Sequence, residues 1–457
     1  MKFLAMLALV VVSLFVAVHA AAPSSSARDL PPGLQIPDAA RPGPNFNVDT
    51  ATDAYLNLLS PEQRAQSDAY FEGGYWIQLW QLLYGLAVAA LLLWAGISTR
   101  MRNLARRLSP RPWLYTWIYV LLFVLVSFAL NLPASIYTDY LREHQYGLAT
   151  QDFGGWFGDA LKGLMVNAIV LPLVLVVVYA AVRRTGERWW IWASGIGFVF
   201  FLFSMMLAPV YVAPLFNDYK PLREGAVREA VLSLARANQI PTDHVVEFDA
   251  SRQTTRISAN VSGFAGTTRV SLNDNLLNKT SEPEIKAVLG HEMGHYVLSH
   301  GLRGTIYVTI VLVCGFWFTH RLLDRALRRW GYELGLEGRD DPAALPLAGA
   351  ILSLFFFLAT PLTNTIGRQM EAEADAFGLN AAREPNGFAM AAMRLSTYRK
   401  IHPGALEEIV FYDHPSGYAR VHGAMIWLKE NQDNPTANAL PKLAGTVAPT
   451  DAVDKAR

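Results

Sequence analysis

The chain has 457 residues and a nearly balanced charge, with 39 Lys and Arg residues against 38 Asp and Glu residues. This balance predicts no basic surface, so no nucleic acid is expected as a partner. Hydrophobic residues make up 52% of the chain and charged residues only 17%, which is more apolar than a soluble domain needs and typical of a protein that lies partly in lipid.

Residues 1–20 have the pattern of a signal peptide or of an uncleaved first membrane span. Lys2 precedes an apolar run that ends in small residues near Ala20. Both interpretations keep Lys2 in the cytoplasm and export the residues after the apolar run. Residues 21–72, rich in Pro, Ser and Ala at first, predict an exported N-terminal arm.

Six apolar segments predict membrane-spanning helices. Residues 73–216 contain four of them, each near the roughly twenty residues that a helix needs to cross a hydrocarbon core. After a polar region, residues 304–365 predict a transmembrane hairpin whose first span is the weakest by length. The single cysteine, Cys314, lies in that span without a nearby base, which favours a small core or lipid-facing hydrophobe over a catalytic thiol. The apolar segments are 75–97, 113–137, 164–182, 189–216, 305–318 and 344–362.

Arginines in the short loops predict the orientation of these spans, because cytoplasmic loops collect Lys and Arg. The loops after the first, third and fifth spans hold five, three and five arginines, whereas the loop after the second span offers only Arg142 and Lys162. The three basic loops are therefore expected in the cytoplasm. The polar regions 217–303 and 366–432 then share the opposite face, where they can form one catalytic domain. Residues 433–457 predict a disordered tail.

The sequence His291-Glu-Met-Gly-His295 lies in a predicted helix of the first polar region. His291 and His295 are one helical turn apart and share a face, where two imidazoles can bind one Zn²⁺ ion. Glu292 lies beside them, placed to activate the water that attacks a peptide bond. His300 falls near the opposite side of an ideal helix and is left out of the predicted site. The alternative is a membrane-proximal helix with two surface histidines.

A second motif, Arg368-Gln-Met-Glu371-Ala-Glu-Ala-Asp375, follows the last predicted span. Glu371 and Asp375 are one helical turn apart, so one carboxylate can bind zinc while the other accepts a hydrogen bond from a ligand imidazole. We expect Glu371 to be the third zinc ligand, because Glu373 lies off that face. The alternative is an exposed acidic helix with ordinary surface charges.

Together, the two motifs resemble those of the integral-membrane zinc proteases of the CAAX prenyl protease 1 family, over most of the chain up to about residue 430. The resemblance implies a mainly α protein: a polytopic membrane helix bundle enclosing a chamber, with a split gluzincin-like zinc protease domain that carries a small β-sheet. It implies one zinc ion per chain and an endopeptidase for CAAX-type (prenylated), misfolded or membrane-associated proteins. The implied partners are a peptide or protein substrate, possibly lipid-modified, and membrane lipid.

The resemblance also implies roles for residues outside the zinc ligands. Asn260 and Val261 match the family's substrate-side strand, where Asn260 would hold the peptide backbone by strand addition. His414 matches the family's C-terminal His-Pro motif, which implies a hydrogen-bond donor to the oxyanion of the tetrahedral intermediate. The residues implied around the zinc ligands are Asp375, Arg420 and, as the organiser of Asp375, Arg368.

Two other functions are compatible with parts of the sequence. A non-catalytic membrane scaffold would not require Glu292 together with both histidines and the distant Glu371. A transporter would place ionisable residues within the spans, and these spans carry few. The arginine pattern predicts that the catalytic domain lies on the exported side, whereas in eukaryotic family members this domain faces the cytosol or nucleus. Together with the bacterial-looking export signal, it predicts a bacterial inner-membrane protein with a periplasmic catalytic domain.

Overall fold

Helices make up most of the structure, a computed structural model that describes residues 29–263 and 267–433. The predicted signal peptide or first span, residues 1–20, lies outside the described residues, and so does the predicted tail beyond residue 433. In chain order, the helices before the polar region are α1 (Val48–Leu56), α2 (Pro61–Trp94), α3 (Ile97–Leu108), α4 (Pro112–Ser135), α5 (Phe153–Thr185) and α6 (Trp189–Leu207).

The polar regions contain shorter helices and a small sheet, separated by a long helical hairpin. The strands are β1 (Tyr219–Pro221), β2 (His244–Phe248), β3 (Ala259–Ser262) and β4 (Arg269–Asn273). The helices are α7 (Ala226–Ala237), α8 (Asp274–Lys279), α9 (Glu282–Val297), α10 (His300–Trp330), α11 (Leu345–Ala382), α12 (Pro385–Leu395), α13 (Ala405–Phe411) and α14 (Gly417–Asn431).

Five helical stretches of the described chain are long and apolar enough to cross a membrane. One of them, Phe153–Leu215, contains both α5 and α6, which a turn at Gly186–Arg188 separates. The five stretches contain α2, α4, α5, α6, α10 and α11, in which the six apolar segments lie. The segment predicted to be short, residues 305–318, lies within the 31-residue helix α10, which is long enough to span. The polytopic helix bundle is thus confirmed.

The loops at one end of the bundle contact one another through ion pairs. Arg102, in helix α3 between the first two apolar segments, lies 2.5 Å from Asp341 in the loop between α10 and α11. Arg339 of that same loop lies 2.6 Å from Glu187, in the turn between α5 and α6. The three arginine-rich loops therefore share one end of the bundle, and the polar regions lie at the other end.

The predicted N-terminal arm, residues 21–72, is not a separate linker. Helix α2 already begins at Pro61, because Ser60 and Gln63 form a capping box. The preceding residues pack on the polar domain: Tyr55 is fully buried, and its hydroxyl donates to Asn386 at 2.8 Å. The Pro- and Ser-rich composition of this segment concealed its buried apolar side chains, so the expectation of an arm was wrong for residues 29–72.

The sheet is mixed, with strand order β1-β2-β4-β3. Strands β2 and β4 are parallel, whereas β1 pairs with β2 and β3 pairs with β4 in antiparallel fashion. Within the described residues, β3 pairs with β4 alone and is an edge strand. The helical bundle with a small sheet confirms the predicted fold class.

Helix α9 lies between two apolar cores of the polar domain. Leu289 and Met293 pack with the sheet, and Ala287 packs with Met390 and Met393 of α12. The polar side chains of α9 occupy the stripe between these two apolar faces. That stripe carries the histidines, so packing on both flanks fixes their direction.

Candidate metal centre and active site

The first turn of helix α9 is set by its N-terminal residues. The carboxylate of Glu284 accepts from the backbone N–H of Ser281 at 2.8 Å, as in a capping box. Glu284 is fully buried and forms an ion pair with Arg394 of α12 at 2.5 Å. Separating this pair would leave an unpaired buried charge, which is strongly destabilising, so the start of the helix is held in one place.

The two histidines of the helix face each other across one turn. The Nε2 atoms of His291 and His295 lie 3.1 Å apart. The carboxylate of Glu371, on helix α11, completes the group, with one oxygen 3.2 Å from Nε2 of His291 and the other 3.4 Å from Nε2 of His295. The structure therefore brings the three predicted ligands together from helices that are distant in sequence.

Glycines allow this approach of α11 to α9. A Cβ atom on Gly290 would lie 2.9 Å from the carbonyl oxygen of Gly378, and one on Gly294 would lie 3.1 Å from Cα of Ala374. Side chains at these positions would push the two helices apart. The absence of a Cβ at both glycines thus places Glu371 within reach of the imidazoles.

The donor set fits a divalent cation. Two imidazole nitrogens and a carboxylate within 4.8 Å of one another are the ligand types that Zn²⁺ prefers, and three protein ligands leave one position open, as in catalytic zinc sites. Burial alone would lower the pKa of His291, but the carboxylates of Asp375 and Glu371 outweigh burial and raise it to about 9. The site therefore favours positive charge at the point where the three donors meet.

Asp375 and Arg420 support the ligands from behind. Oδ1 of Asp375 lies 2.7 Å from Nδ1 of His291, which leaves Nε2 directed at the other donors. Nε of Arg420 lies 2.9 Å from the second oxygen of Asp375, and its terminal nitrogen donates to Glu371 at 3.0 Å. Arg420 thus contacts both carboxylates of the motif on α11, as expected for a residue beside the ligands.

Arg368 has a different position from the one expected. Its guanidinium donates to the backbone carbonyl of Glu408 at 2.8 Å and also to that of Tyr412. The structure does not bring Arg368 to Asp375. Arg368 lies two helical turns before Asp375, and its guanidinium is directed toward α13 and the residue that follows it. The predicted organiser of Asp375 is therefore replaced by Arg420, and Arg368 holds the segment that leads into His414.

His414 lies at the rim of the metal centre. Its Nε2 is 3.3 Å from an oxygen of Glu371, and its Nδ1 is 2.7 Å from the carboxylate of Asp413. The Asp413 contact orients the ring so that Nε2 faces the centre. A side chain in this position can donate a hydrogen bond to an oxygen bound there.

Glu292 lines a cavity of about 230 Å³ next to His291 and His414. Burial raises the pKa of the Glu292 carboxyl, against the opposing effect of His291 and His295. Among the described residues, no hydrogen bond or ion pair engages this carboxylate. Glu292 is therefore available to exchange a proton with a molecule in the cavity.

The edge strand β3 borders the same cavity through Ala259. The N–H of Asn273 donates to the carbonyl of Ser258 at 3.0 Å, which marks a hydrogen-bonded pair of the β3–β4 ladder. Because such pairs alternate in an antiparallel ladder, the main chain of Asn260 faces β4. The N–H and C=O groups of Ala259 and Val261 then point to the open edge. The main chain of Asn260 points away from that edge, although the resemblance implied that Asn260 would hold the peptide there.

His300 also lies at the centre, although the spacing in sequence excluded it from the predicted site. Its Nδ1 is 2.9 Å from Nδ1 of His295. Helix α9 ends at Val297, and Ser299 adopts a left-handed backbone with φ of 56° before α10 begins. In an ideal continuous helix, His300 would lie on the face opposite His291. The break at Ser299 instead directs its side chain toward His295. Two features of the sequence could have indicated the position of His300: it is a third histidine close after the motif, and Glu373 is an acidic residue off the ligand face of its own helix.

Two family profiles match the chain in sequence. The profile described as CAAX prenyl protease N-terminal, five membrane helices, matches residues 48–218, and that of peptidase family M48 matches residues 221–426. Together they cover the spans and the candidate metal centre.

Individual relatives support the same assignment. An uncharacterized metalloprotease of Bacillus subtilis, YhfN, is 31% identical over 73% of this chain and 78% of its own length. A CAAX prenyl protease 1 homolog of rice is 29% identical over 60% of this chain and 64% of its own, and CAAX prenyl protease 1 of Saccharomyces cerevisiae is 26% identical over 68% and 71%. The crystal structure of S. mikatae Ste24p has the same fold, with a TM-score of 0.68 at 22% identity over 80% of this chain and 89% of that one.

Proposed function

Because this chain belongs to peptidase family M48 and is an integral-membrane metalloendopeptidase, we propose that His291, His295 and Glu371 hold a catalytic zinc ion. The convergence of these three donors beside the cavity that Glu292 lines is the observation that carries the proposal. Membership of this family makes the two alternatives, a membrane scaffold and a transporter, unnecessary.

Different residues around the centre perform different parts of peptide hydrolysis. A bound zinc ion would supply Lewis-acid polarisation of the scissile carbonyl and a water acidic enough to react near neutral pH. Glu292 takes the proton of the attacking water as the new C–O bond forms, and gives a proton to the leaving amine as the C–N bond breaks. Its half-buried carboxylate, which faces the cavity, suits both steps.

His414 and Arg420 contact negatively charged groups and do not transfer protons in this mechanism. His414 donates a hydrogen bond to the oxyanion that develops on the carbonyl, from its place 3.3 Å from Glu371. Arg420 contacts Glu371 and Asp375 and fixes both carboxylates in place, so that the ligands need not rearrange during the reaction.

The open edge of β3 binds the substrate as an added strand. The outward N–H and C=O groups of Ala259 and Val261 offer two points of backbone pairing next to the cavity. An extended peptide in this position passes Glu292, and one of its side chains enters the apolar part of the cavity, lined by Val288, Phe388 and Ala391. Backbone pairing selects unfolded segments, because folded ones have already paired their main chain.

The substrates we propose are CAAX-type or misfolded membrane-associated proteins, as the names of the rice and yeast relatives suggest for the first class. Two features favour a membrane-linked substrate. The spanning helices lie directly below the centre, and the single helix α11 contains both an apolar spanning segment and Glu371. Short peptides near the bilayer surface would thus meet the open edge of β3.

We place the protein in a bacterial inner membrane with the catalytic domain on the periplasmic side. The three loops that contact one another through Arg102 and Arg339 are the arginine-rich ones, which favours a cytoplasmic position for that end. The catalytic domain is at the opposite end of the bundle.

The experiment that tests the function compares the parent protein with Glu292→Gln in detergent or nanodiscs. Both are supplied with zinc and given a prenylated peptide and an unfolded protein as substrates. The parent should cleave at least one of them, and Glu292→Gln should bind zinc but lose at least about 100-fold in kcat, since it loses the proton acceptor and keeps the ligands. Equal turnover by the two proteins would refute the role of Glu292.

A further inference from the structure

The start of helix α10 forms a chain of side chains behind His295. Nδ1 of His295 lies 2.9 Å from Nδ1 of His300, and Nε2 of His300 lies 3.2 Å from a carboxylate oxygen of Glu373. Arg303 then donates to both oxygens of Glu373, at 2.6 Å and 3.2 Å. This relay, His295–His300–Glu373–Arg303, joins α9, α10 and α11 on the side of the centre away from Asp375.

The donor and acceptor properties of these groups permit one arrangement of protons in a neutral pair of rings. Glu373 is held by Arg303 as a carboxylate and can only accept, so Nε2 of His300 must carry a proton. A neutral His300 then has a bare Nδ1, which accepts from Nδ1–H of His295. Nε2 of His295 is left with its lone pair free, 3.4 Å from Glu371.

We propose that His300 and Glu373 are positioning residues that hold His295 in its metal-binding tautomer. The inference rests on the proposed function, because His295 acts as a metal ligand only there. It assigns to His295 a support that differs from that of His291, whose Nδ1 faces the carboxylate of Asp375 directly. Each ligand histidine is thus backed by a carboxylate that an arginine holds, and for His295 a second imidazole is inserted between them.

The burial of His300 strengthens this assignment. The residue is only 5% exposed, and a buried imidazole retains stability only when its nitrogens are hydrogen-bonded. Both nitrogens of His300 are satisfied by the relay alone. An isolated structural histidine would have no reason to lie within 2.9 Å of a metal ligand with a carboxylate on its other side.

The test measures zinc affinity by competition with a chromophoric chelator, on the purified full-length protein. His300→Leu fills the space of the ring but cannot accept from His295, and should weaken zinc binding about 10- to 100-fold. His300→Asn leaves more empty space but places an acceptor oxygen near the position of Nδ1, and should lose clearly less affinity. A packing role would reverse this order, because leucine fills the site better.

Two further variants identify the relay as the cause. Glu373→Leu alone should weaken zinc binding, but the double variant with His300→Leu should be no weaker than His300→Leu by itself, since Glu373 acts through His300. The matched control is Thr305→Val. Thr305 is a buried residue of the same helix whose hydroxyl donates to the backbone carbonyl of Gly301 at 2.8 Å, and its substitution should leave zinc affinity unchanged.

Three results would overturn the inference: zinc affinity of His300→Leu equal to that of the parent, a greater loss in His300→Asn than in His300→Leu, or an equal loss in Thr305→Val. If His300→Leu does not fold, the comparison of His300→Asn with Glu373→Leu and Thr305→Val still decides. Failure of the proposed function looks different, because His291→Ala and His295→Ala would then retain one zinc ion per chain whatever the variants of His300 do.

Discussion

A Cβ atom on Gly378 would lie 2.7 Å from the backbone nitrogen of His291, so helices α9 and α11 touch main chain to main chain beside the first of the proposed metal ligands. This contact sets the distance between the histidines and Glu371. The geometry of the centre therefore depends on a residue that has no functional group.

Gly378→Ala should weaken zinc binding without changing any ligand. The added methyl group must displace α11 from α9, and overpacking of this kind costs about 1–3 kcal/mol of folding stability. Zinc content and the thermal unfolding midpoint of the purified variant measure the two effects. Gly349→Ala is the matched control, since Gly349 lies in the same helix with open space around it. Equal zinc content in the two variants would contradict the proposed role of the contact.

Metal analysis of single variants tests the ligand set. The parent should hold about one zinc ion per chain, His291→Ala and His295→Ala should lose it, and Glu371→Ala should bind it more weakly, because each substitution removes one donor. Full zinc occupancy in His291→Ala would show that the ion is bound elsewhere.

The two arginines of the motifs should have separable effects. Arg420→Gln leaves Glu371 and Asp375 without their cation and should lower both zinc affinity and kcat. Arg368→Gln releases only the carbonyls of Glu408 and Tyr412, so it should lower kcat through His414 while zinc affinity is retained. Chelator competition and steady-state kinetics on the same preparations separate the two. An equal loss of zinc affinity in both variants would rule out this division.

Substrate pairing on β3 can be tested with proline, which removes one N–H. Val261→Pro removes an outward donor at an edge strand, where proline is tolerated, and should raise KM roughly 2- to 10-fold, the value of one hydrogen bond. Asn260→Pro removes a bond to β4 and should instead lower the thermal unfolding midpoint. A normal KM in a folded Val261→Pro variant would argue against strand addition.

The orientation in the membrane can be measured with reporter fusions. Alkaline phosphatase should be active after Asn217 and after Asp433, and inactive near Gly331. A fluorescent protein that matures only in the cytoplasm should show the reverse pattern. Cytoplasmic signals at Asn217 and Asp433 would invert the proposed orientation and leave the zinc chemistry unaffected.

The sequence predicted the features that depend on local spacing. His291 and His295 share a face in any α-helix, and the length of the apolar runs predicted the spans. His300 could not be placed in this way, because its position depends on the left-handed residue Ser299, and a serine at that point does not predict a helix break. The sequence also could not identify the arginine that contacts Asp375, since the choice between Arg368 and Arg420 depends on how α11 and α14 pack.

The anchoring of Arg394 has a consequence for biosynthesis. This buried side chain near the C-terminal end donates to the backbone carbonyls of Leu30, Pro31 and Gly33, and pairs with Glu284 at the start of the helix that carries His291. The contacts of Leu30, Pro31 and Gly33 with Arg394 therefore cannot form until most of the chain has been synthesised. A nascent chain that has not reached residue 420 lacks Arg420, and a shorter one also lacks Arg394 and Glu371, so the proposed metal centre cannot be completed until most of the chain has been made.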